Sequence, residues 1–344
     1  MYKFIILYAL GFIIVALLTV RNQNQVKLFL IFFAASCFVF GAMINNDFKT
    51  IQILSGKITS KYRDDVSCEH SYSCSCNSDG ECDTCYEHTN DYDWVLETNI
   101  KNKKIIIDRV DQRGTKEPPR FSNAFIGESA FIEDKYFNYF KMSKRNTIHS
   151  EASSSVSNSI EAVNFNYPSV YDYYKINRVI SDGASLPIDN KNIGNMLSSI
   201  NPQKQVNLII IVTSKDKDID NYMISVREKF YGGEKNDIFI IIQSEAGKIL
   251  NSRVFSRSSN KILDEKLEFF IKKIDEFNDE SFQSGVKDII TENFVRENYE
   301  QYAYLSNEIS FGVKYIVIYV AFISLLILTM ILESNSVFQR WKRF

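Results

Sequence analysis

Three stretches of the chain are apolar and carry no charged residue, and a long polar region separates the second stretch from the third. They comprise residues 4–20, 28–44 and 315–332. At about 1.5 Å of rise per residue, a helix of this length covers roughly 26 Å, just enough for a bilayer core. None shows the polar residues at helical spacing that a soluble amphipathic helix needs. The pattern predicts three transmembrane helices, with cleavage of the first as a signal peptide as the alternative.

Basic residues lie close to the ends of these stretches. The connector at residues 21–27 contains Arg21 and Lys27, and the C-terminal tail ends with Arg340, Lys342 and Arg343. Because cytoplasmic segments are enriched in Lys and Arg, we expect the connector and tail in the cytoplasm and residues 45–314 outside it.

Alternation of apolar and polar residues marks the first part of the soluble region. Ile51, Ile53 and Ile58 begin it, and residues 92–98 and 104–110 have the composition of two strands of a hairpin. We therefore predict a small β domain over residues 45–150.

A polar insert at residues 68–88 interrupts this β domain. It contains seven side chains that can bind metal: Cys68, His70, Cys74, Cys76, Cys82, Cys85 and His88. Five cysteines cannot all pair, and the sixth, Cys37, lies in the second apolar stretch. The CxxC spacing of Cys82 and Cys85 is typical of structural zinc, so we predict that these two share one zinc ion. Two disulfides with one spare thiol are the alternative, and a redox-active site is the third reading.

A serine-rich stretch at residues 151–162 begins a predicted linker and connecting segment, 151–180. An α/β pattern follows in a second domain at residues 181–310, before the last apolar stretch within residues 311–344. The pattern predicts helices at 190–200, 220–230, 262–277 and 281–309, and strands at 206–213, 237–243 and 248–256. The uninterrupted apolar strands indicate a sheet buried on both faces.

Composition and charge narrow the function. Lys and Arg number 40 against 42 Asp and Glu, giving a net charge of −2. This balance lacks the basic excess of a nucleic-acid-binding protein, so no nucleic acid is expected as a partner.

Candidate catalytic residues are few. Asp216, Asp218 and Asp220 alternate after a buried strand, but Asn221 and Arg227 stand where an EF-hand loop needs Gly and Glu. Outside the cysteine cluster, His149 is the only histidine, which leaves no Ser-His-Asp combination to propose. We predict no catalytic residue and no bound organic cofactor.

Long motifs in the first half of the soluble region resemble an uncharacterised family of membrane proteins of large tailed bacteriophages. They are SGKITSKYRDDVSCEHSYSC at 55–74, CDTCYEH at 82–88, DYDWV at 91–95, IDRVDQRGTKEPPRFS at 107–122 and YPSVYDYYKINRVI at 167–180. The resemblance implies a viral source and action at the host envelope, and it carries no activity.

The second domain resembles the TPM domain through VNLIIIVT at 206–213 and YGGEKNDIFIII at 231–242. That resemblance implies an α/β fold outside the cytoplasm. It also implies weak acid-phosphatase activity, calcium binding, or assistance in assembling membrane complexes.

Together these observations predict an α+β multidomain membrane protein: three transmembrane helices, a small β domain with a Cys/His-rich knuckle, and a TPM-like α/β sandwich. We expect an integral multi-pass protein of the host inner membrane or a viral membrane. Its partners would be the lipid bilayer and other membrane or virion proteins, in a role of interaction or assembly. The alternative is a metal-assisted hydrolase that uses Asp216, Asp218 and Asp237. The oligomeric state stays open.

Overall fold

A computed structural model describes residues 10–13, 23–77, 80–101, 103–139, 163–200, 204–308 and 313–341. The predicted helix at 4–20 therefore lies outside the described residues except for 10–13, which are helical. The helices are α1 Gln23–Phe48, α2 Pro119–Asn123, α3 Asn190–Ile200, α4 Ile219–Lys229, α5 Ile262–Lys272, α6 Asp279–Asn293 and α7 Val313–Trp341. The strands are β1 Lys49–Ser67, β2 Ser71–Cys76, β3 Cys82–Tyr86, β4 Asn90–Thr98, β5 Lys104–Ile107, β6 Ser129–Phe137, β7 Val170–Tyr171, β8 Lys175–Ile176, β9 Val179–Asp182, β10 Asn207–Ser214, β11 Asp237–Glu245 and β12 Lys248–Ser256.

The chain divides into two compact units. The first comprises Met1–Thr50, Lys135–Val156 and Asn298–Phe344, and the second comprises Ile51–Asp134 and Ser157–Glu297. The first unit contains the apolar helices, and the second contains both large sheets.

The first unit holds two helices that are long and apolar enough to cross a membrane. The apolar segments are Gln25–Asp47 in α1 and Tyr315–Leu332 in α7. The helices contact each other through aromatic rings, with the centroids of Phe40 and Tyr315 6.4 Å apart. Only 11% and 17% of the two apolar segments is buried. The core helix of a soluble protein would bury its apolar residues, so their exposure favours lipid contact.

The first sheet of the second unit has the strand order β5-β4-β1-β6. Strands β1 and β4 pair antiparallel from Ile58 opposite Thr98 to Ser67 opposite Asn90. Antiparallel pairing of β4 with β5 confirms the predicted hairpin. Its apolar side chains form a core in which the rings of Trp94 and Phe121 lie 4.8 Å apart.

The second sheet has the order β12-β11-β10-β9, with β9, β10 and β11 parallel and β12 antiparallel. Successive side chains of a strand point to opposite faces. Leu208, Ile210 and Val212 accordingly pack with α3, α5 and α6, whereas Ile209 and Ile211 pack with α4. These layers form an α/β sandwich, and the predicted strands are confirmed to within two residues at each end.

Two predicted helices are longer than those observed. Helix α5 ends at Lys272 rather than 277, and Asn278 takes an extended conformation to cap α6 through the N–H of Ser281. A cap residue is non-helical, so one helix cannot run through it. The predicted helix at 281–309 is also interrupted. Helix α6 ends at Asn293, the fully buried Phe294 is extended, and a 3-10 helix occupies Tyr299–Glu308.

The predicted connecting segment is described from residue 163 onwards. There Val163, Phe165 and Tyr167 pack beside α4, while Tyr174 is fully buried in the core of the first sheet. Residues 151–162 lie outside the described part of the chain.

Candidate functional site

Four of the predicted metal ligands form disulfides instead. Strands β2 and β3 pair as an antiparallel hairpin, in which Cys74 is bonded to Cys85 and Cys76 to Cys82. The prediction that Cys82 and Cys85 share a zinc ion is therefore wrong in this structure. Both lie in a strand, where residues three apart point to opposite faces, whereas a CxxC zinc pair needs a turn. The two disulfides with a spare thiol match the alternative stated above.

The spare thiol belongs to Cys68, which lies next to His88 and Asp91 at the base of the hairpin. Cys68 follows the end of β1, His88 lies between β3 and β4, and Asp91 is the second residue of β4. The β1–β4 register brings them together, because Val66 pairs with Asp91. Strand pairing thus assembles three donor groups from two distant segments of the chain.

The donor atoms of these three residues converge. The Sγ of Cys68 is 3.8 Å from Nδ1 of His88, and the same nitrogen is 3.4 Å from Oδ1 of Asp91. All three donor atoms lie within 4.8 Å of one another, a separation that would allow them to bind one metal ion. We call Cys68, His88 and Asp91 the candidate metal centre.

Hydrogen bonds fix the carboxylate of this centre from one side. Oδ2 of Asp91 accepts from the N–H of Glu69 at 3.1 Å and from Nη1 of Arg109 at 3.3 Å. Burial raises the pKa of Asp91, but the Glu69 hydrogen bond and the charge of Arg109 outweigh that effect, so its pKa is lowered overall. Asp91 is therefore a carboxylate at neutral pH.

The arrangement differs from a nucleophilic Cys-His-Asp triad. In such a triad the thiol and the carboxylate contact opposite nitrogens of the imidazole. Here the thiol of Cys68 and the carboxylate of Asp91 both face Nδ1 of His88. The geometry suits shared coordination rather than proton relay through the ring.

His70, the remaining predicted ligand, is a neighbour of the centre rather than a member. Its ring centroid is 6.4 Å from that of His88, and its Nε2 lies 3.3 Å from the backbone oxygen of Gln112. Sequence reasoning missed Asp91, because only the β1–β4 register brings it to Cys68 and His88.

The acids proposed for the hydrolase alternative lie at opposite ends of the strands of the second sheet. Asp216 and Asp218 follow the carboxyl end of β10, whereas Asp237 begins β11 opposite Asn207 at the start of β10. Seven residues of strand separate these ends, which is roughly 23 Å at 3.3 Å per residue. Asp218 caps α4, and Asp220 pairs with Arg253. The three acids therefore do not form one site.

Asp237 belongs to a buried polar network that the sequence did not reveal. Its carboxylate accepts hydrogen bonds from the hydroxyl of Tyr167 at 2.9 Å, Nδ2 of Asn207 at 2.8 Å and the N–H of Glu234 at 2.7 Å. Arg178 donates to Asn207 and also to the hydroxyl of Ser55.

Burial dominates the electrostatics of this network. It raises the pKa of Asp237 to about 7, aided by the nearby charge of Glu234, and lowers the pKa of Arg178 to about 10. Both side chains are fully buried, and the hydrogen bond from Arg178 to Ser55 of β1 joins the network to the first sheet.

Comparison with models of known protein families, with curated proteins and with solved structures finds no match to this chain.

Proposed function

We propose that this protein is membrane-anchored and that its second unit acts outside the cytoplasm as a protein-interaction module. The β2–β3 hairpin would be its contact surface. The main support for this proposal is that two disulfides crosslink strands β2 and β3. Disulfides persist in oxidising compartments, and a covalently closed hairpin is a rigid element that presents side chains without a core of its own.

The aromatic residues of the hairpin support the choice of contact surface. Tyr72 on β2 is 52% exposed and Tyr86 at the end of β3 is 59% exposed. Tyrosine is enriched at protein interfaces because its ring supplies contact area at low entropic cost. Exposed tyrosines on a stapled hairpin are thus suited to binding another protein.

The setting of the proposed interaction is the host inner membrane or a viral membrane, with residues 45–314 outside the cytoplasm. The two apolar helices and the basic tail support an anchored orientation of this kind. The resemblance to phage membrane proteins supports a role in the infected cell or the virion. The hydrolase alternative gains no support from the positions of Asp216, Asp218 and Asp237.

Structural zinc remains part of the proposal, with a changed set of ligands. The disulfides occupy four of the predicted thiols, so the metal would bind at the candidate metal centre.

Site-specific photocrosslinking tests the interaction surface. A photoreactive phenylalanine analogue at Tyr72 or Tyr86 of the full chain should yield discrete crosslinked products in infected cells. Tyr231 is the matched control, because it is 59% exposed but lies after α4 in the sandwich. Products of equal yield from Tyr231, or no product from the hairpin positions, would contradict the proposal.

A further inference from the structure

An orphaned carboxylate oxygen points into the candidate metal centre. Asp91 is 0% exposed, yet its Oδ1 accepts no hydrogen bond among the described residues, although Nδ1 of His88 lies 3.4 Å away. Its other oxygen already has two donors, from Glu69 and Arg109. Leaving a buried acceptor unpaired is costly, and a cation held between Asp91, His88 and Cys68 would remove that cost.

The spacing of the donor atoms suits one ion in size. Tetrahedral zinc has bonds of about 2.3 Å to sulfur and about 2.0–2.2 Å to nitrogen or oxygen, which puts neighbouring donors roughly 3.3–3.6 Å apart. The observed separations are 3.4 Å between Asp91 and His88 and 3.8 Å between His88 and Cys68. Closing the second by a few tenths of an ångström brings it into this range, and the third pair, Cys68 and Asp91, lies within 4.8 Å.

The charges around the centre favour a cation. Asp91, Asp93 and Glu69 surround one guanidinium, that of Arg109, which lies 2.7 Å from Asp93 and 3.8 Å from Glu69. The carboxylates therefore outnumber the positive group before the thiol is counted. Binding of a divalent ion would release the thiol proton of Cys68 to solvent and leave a thiolate ligand.

We infer that Cys68, His88 and Asp91 bind one zinc ion and supply three of its ligands. The ion would join the end of β1 to the start of β4 and so fix the base of the disulfide hairpin. Carboxylate, imidazole and thiolate together are a ligand set that zinc accepts, whereas calcium and magnesium prefer oxygen ligands alone. The inference does not depend on the proposed interaction, because a structural ion could stabilise the hairpin base with or without a partner.

Zinc binding to the purified full chain, kept in detergent without reductant, tests the inference. We expect one zinc per chain, measured by elemental analysis and by competition with a chromophoric chelator. Removing one ligand by Cys68→Ser, His88→Ala or Asp91→Asn should weaken zinc binding about 100-fold. The matched controls Cys37→Ser, His149→Ala and Asp83→Asn should leave zinc affinity unchanged.

Two further measurements separate loss of the ion from loss of the fold. Peptide mapping without reduction should find both hairpin disulfides in every variant used. Cobalt bound to the unmodified chain should show a thiolate charge-transfer band, and saturating zinc should protect Cys68 from alkylation.

Four results would overturn the inference. Three are a chain that retains no zinc above the level of an adventitious ion, zinc affinity unchanged by Cys68→Ser, and a cobalt spectrum without the thiolate band. Rapid alkylation of Cys68 at saturating zinc would instead indicate a reactive thiol, and would also contradict it.

Discussion

Strands β10 and β11 bury nearly every side chain, whereas strands β2 and β3 expose nearly every side chain. The first pair carries runs of isoleucine that are covered by helices on both faces. The second pair is polar and is joined by two disulfides. Apolar burial scales with covered area, while a crosslink acts chiefly by restricting the unfolded chain.

The sandwich and the disulfide hairpin should therefore respond to different perturbations. A cavity in the sandwich removes packing energy and leaves the hairpin crosslinks intact. Loss of a crosslink releases the hairpin and leaves the sandwich core intact.

Truncation of Phe239 should give the largest loss. Its ring stacks at 4.7 Å on Phe255 and is fully buried in the sandwich. We expect Phe239→Ala to lower the free energy of unfolding of the sandwich by about 3–5 kcal/mol. Hydrogen exchange of the full chain in detergent measures this loss in peptides of β10 to β12.

The control for this truncation is Phe269→Ala, since Phe269 is 62% exposed on α5. Its loss should be small. If Phe269→Ala destabilised the sandwich as strongly as Phe239→Ala, core packing would not be the dominant stabilising term.

Removal of the first disulfide should give the next largest effect. The double substitution Cys74→Ser and Cys85→Ser opens a crosslink that spans 11 residues. We expect the hairpin to lose about 2–4 kcal/mol of local stability, while exchange in the sandwich stays unchanged. Accelerated exchange in β10 to β12 would show that the regions are coupled, contrary to the comparison.

Asp237 makes the sandwich sensitive to pH. Its pKa of about 7 in the folded protein exceeds the ordinary value of 3.8. Between about pH 4 and 7 the unfolded chain loses this proton while the folded protein keeps it, so the group destabilises the fold progressively as pH rises.

Asp237→Asn removes that titration. Relative to the unmodified chain, the variant should gain on the order of 3 kcal/mol between pH 4 and pH 7, with little further gain above about pH 8. Chemical unfolding followed at both pH values measures the difference. A relative stability independent of pH would show that the Asp237 carboxyl is not held protonated.

The smallest effect concerns the start of α4. Asp218 accepts from the N–H groups of Asp220 and Asn221, so Asp218→Ala should cost about 1 kcal/mol. Asp216→Ala, two residues earlier, is the matched control. Equal losses in thermal unfolding would contradict the capping role of Asp218.

The sandwich could be predicted because its signals are local. Apolar runs mark β10 and β11, and Asp189 before Asn190 marks the start of α3, so neighbouring residues in the sequence suffice to predict these elements. The ends of α5 and α6 were not predicted correctly from the sequence, because they depend on the cap at Asn278 and on burial of Phe294.

The candidate metal centre could be predicted only in part. Cys68 and His88 could be predicted because cysteine and histidine are concentrated in residues 68–88. Asp91 could not, because it joins them only through the β1–β4 register. Likewise, the disulfide partners depend on which residues face each other across the hairpin. The network of Tyr167, Arg178, Asn207 and Asp237 joins segments that no local pattern relates.

The oxidation state of the hairpin cysteines in cells tests the central proposal most directly. The full chain would be produced in a bacterial membrane, quenched in acid, and alkylated before and after reduction, with the products mapped by mass spectrometry. We predict that Cys74, Cys76, Cys82 and Cys85 react only after reduction, as the pairs Cys74–Cys85 and Cys76–Cys82. Four thiols that react without reduction would place the hairpin in a reducing compartment and contradict the proposed location outside the cytoplasm.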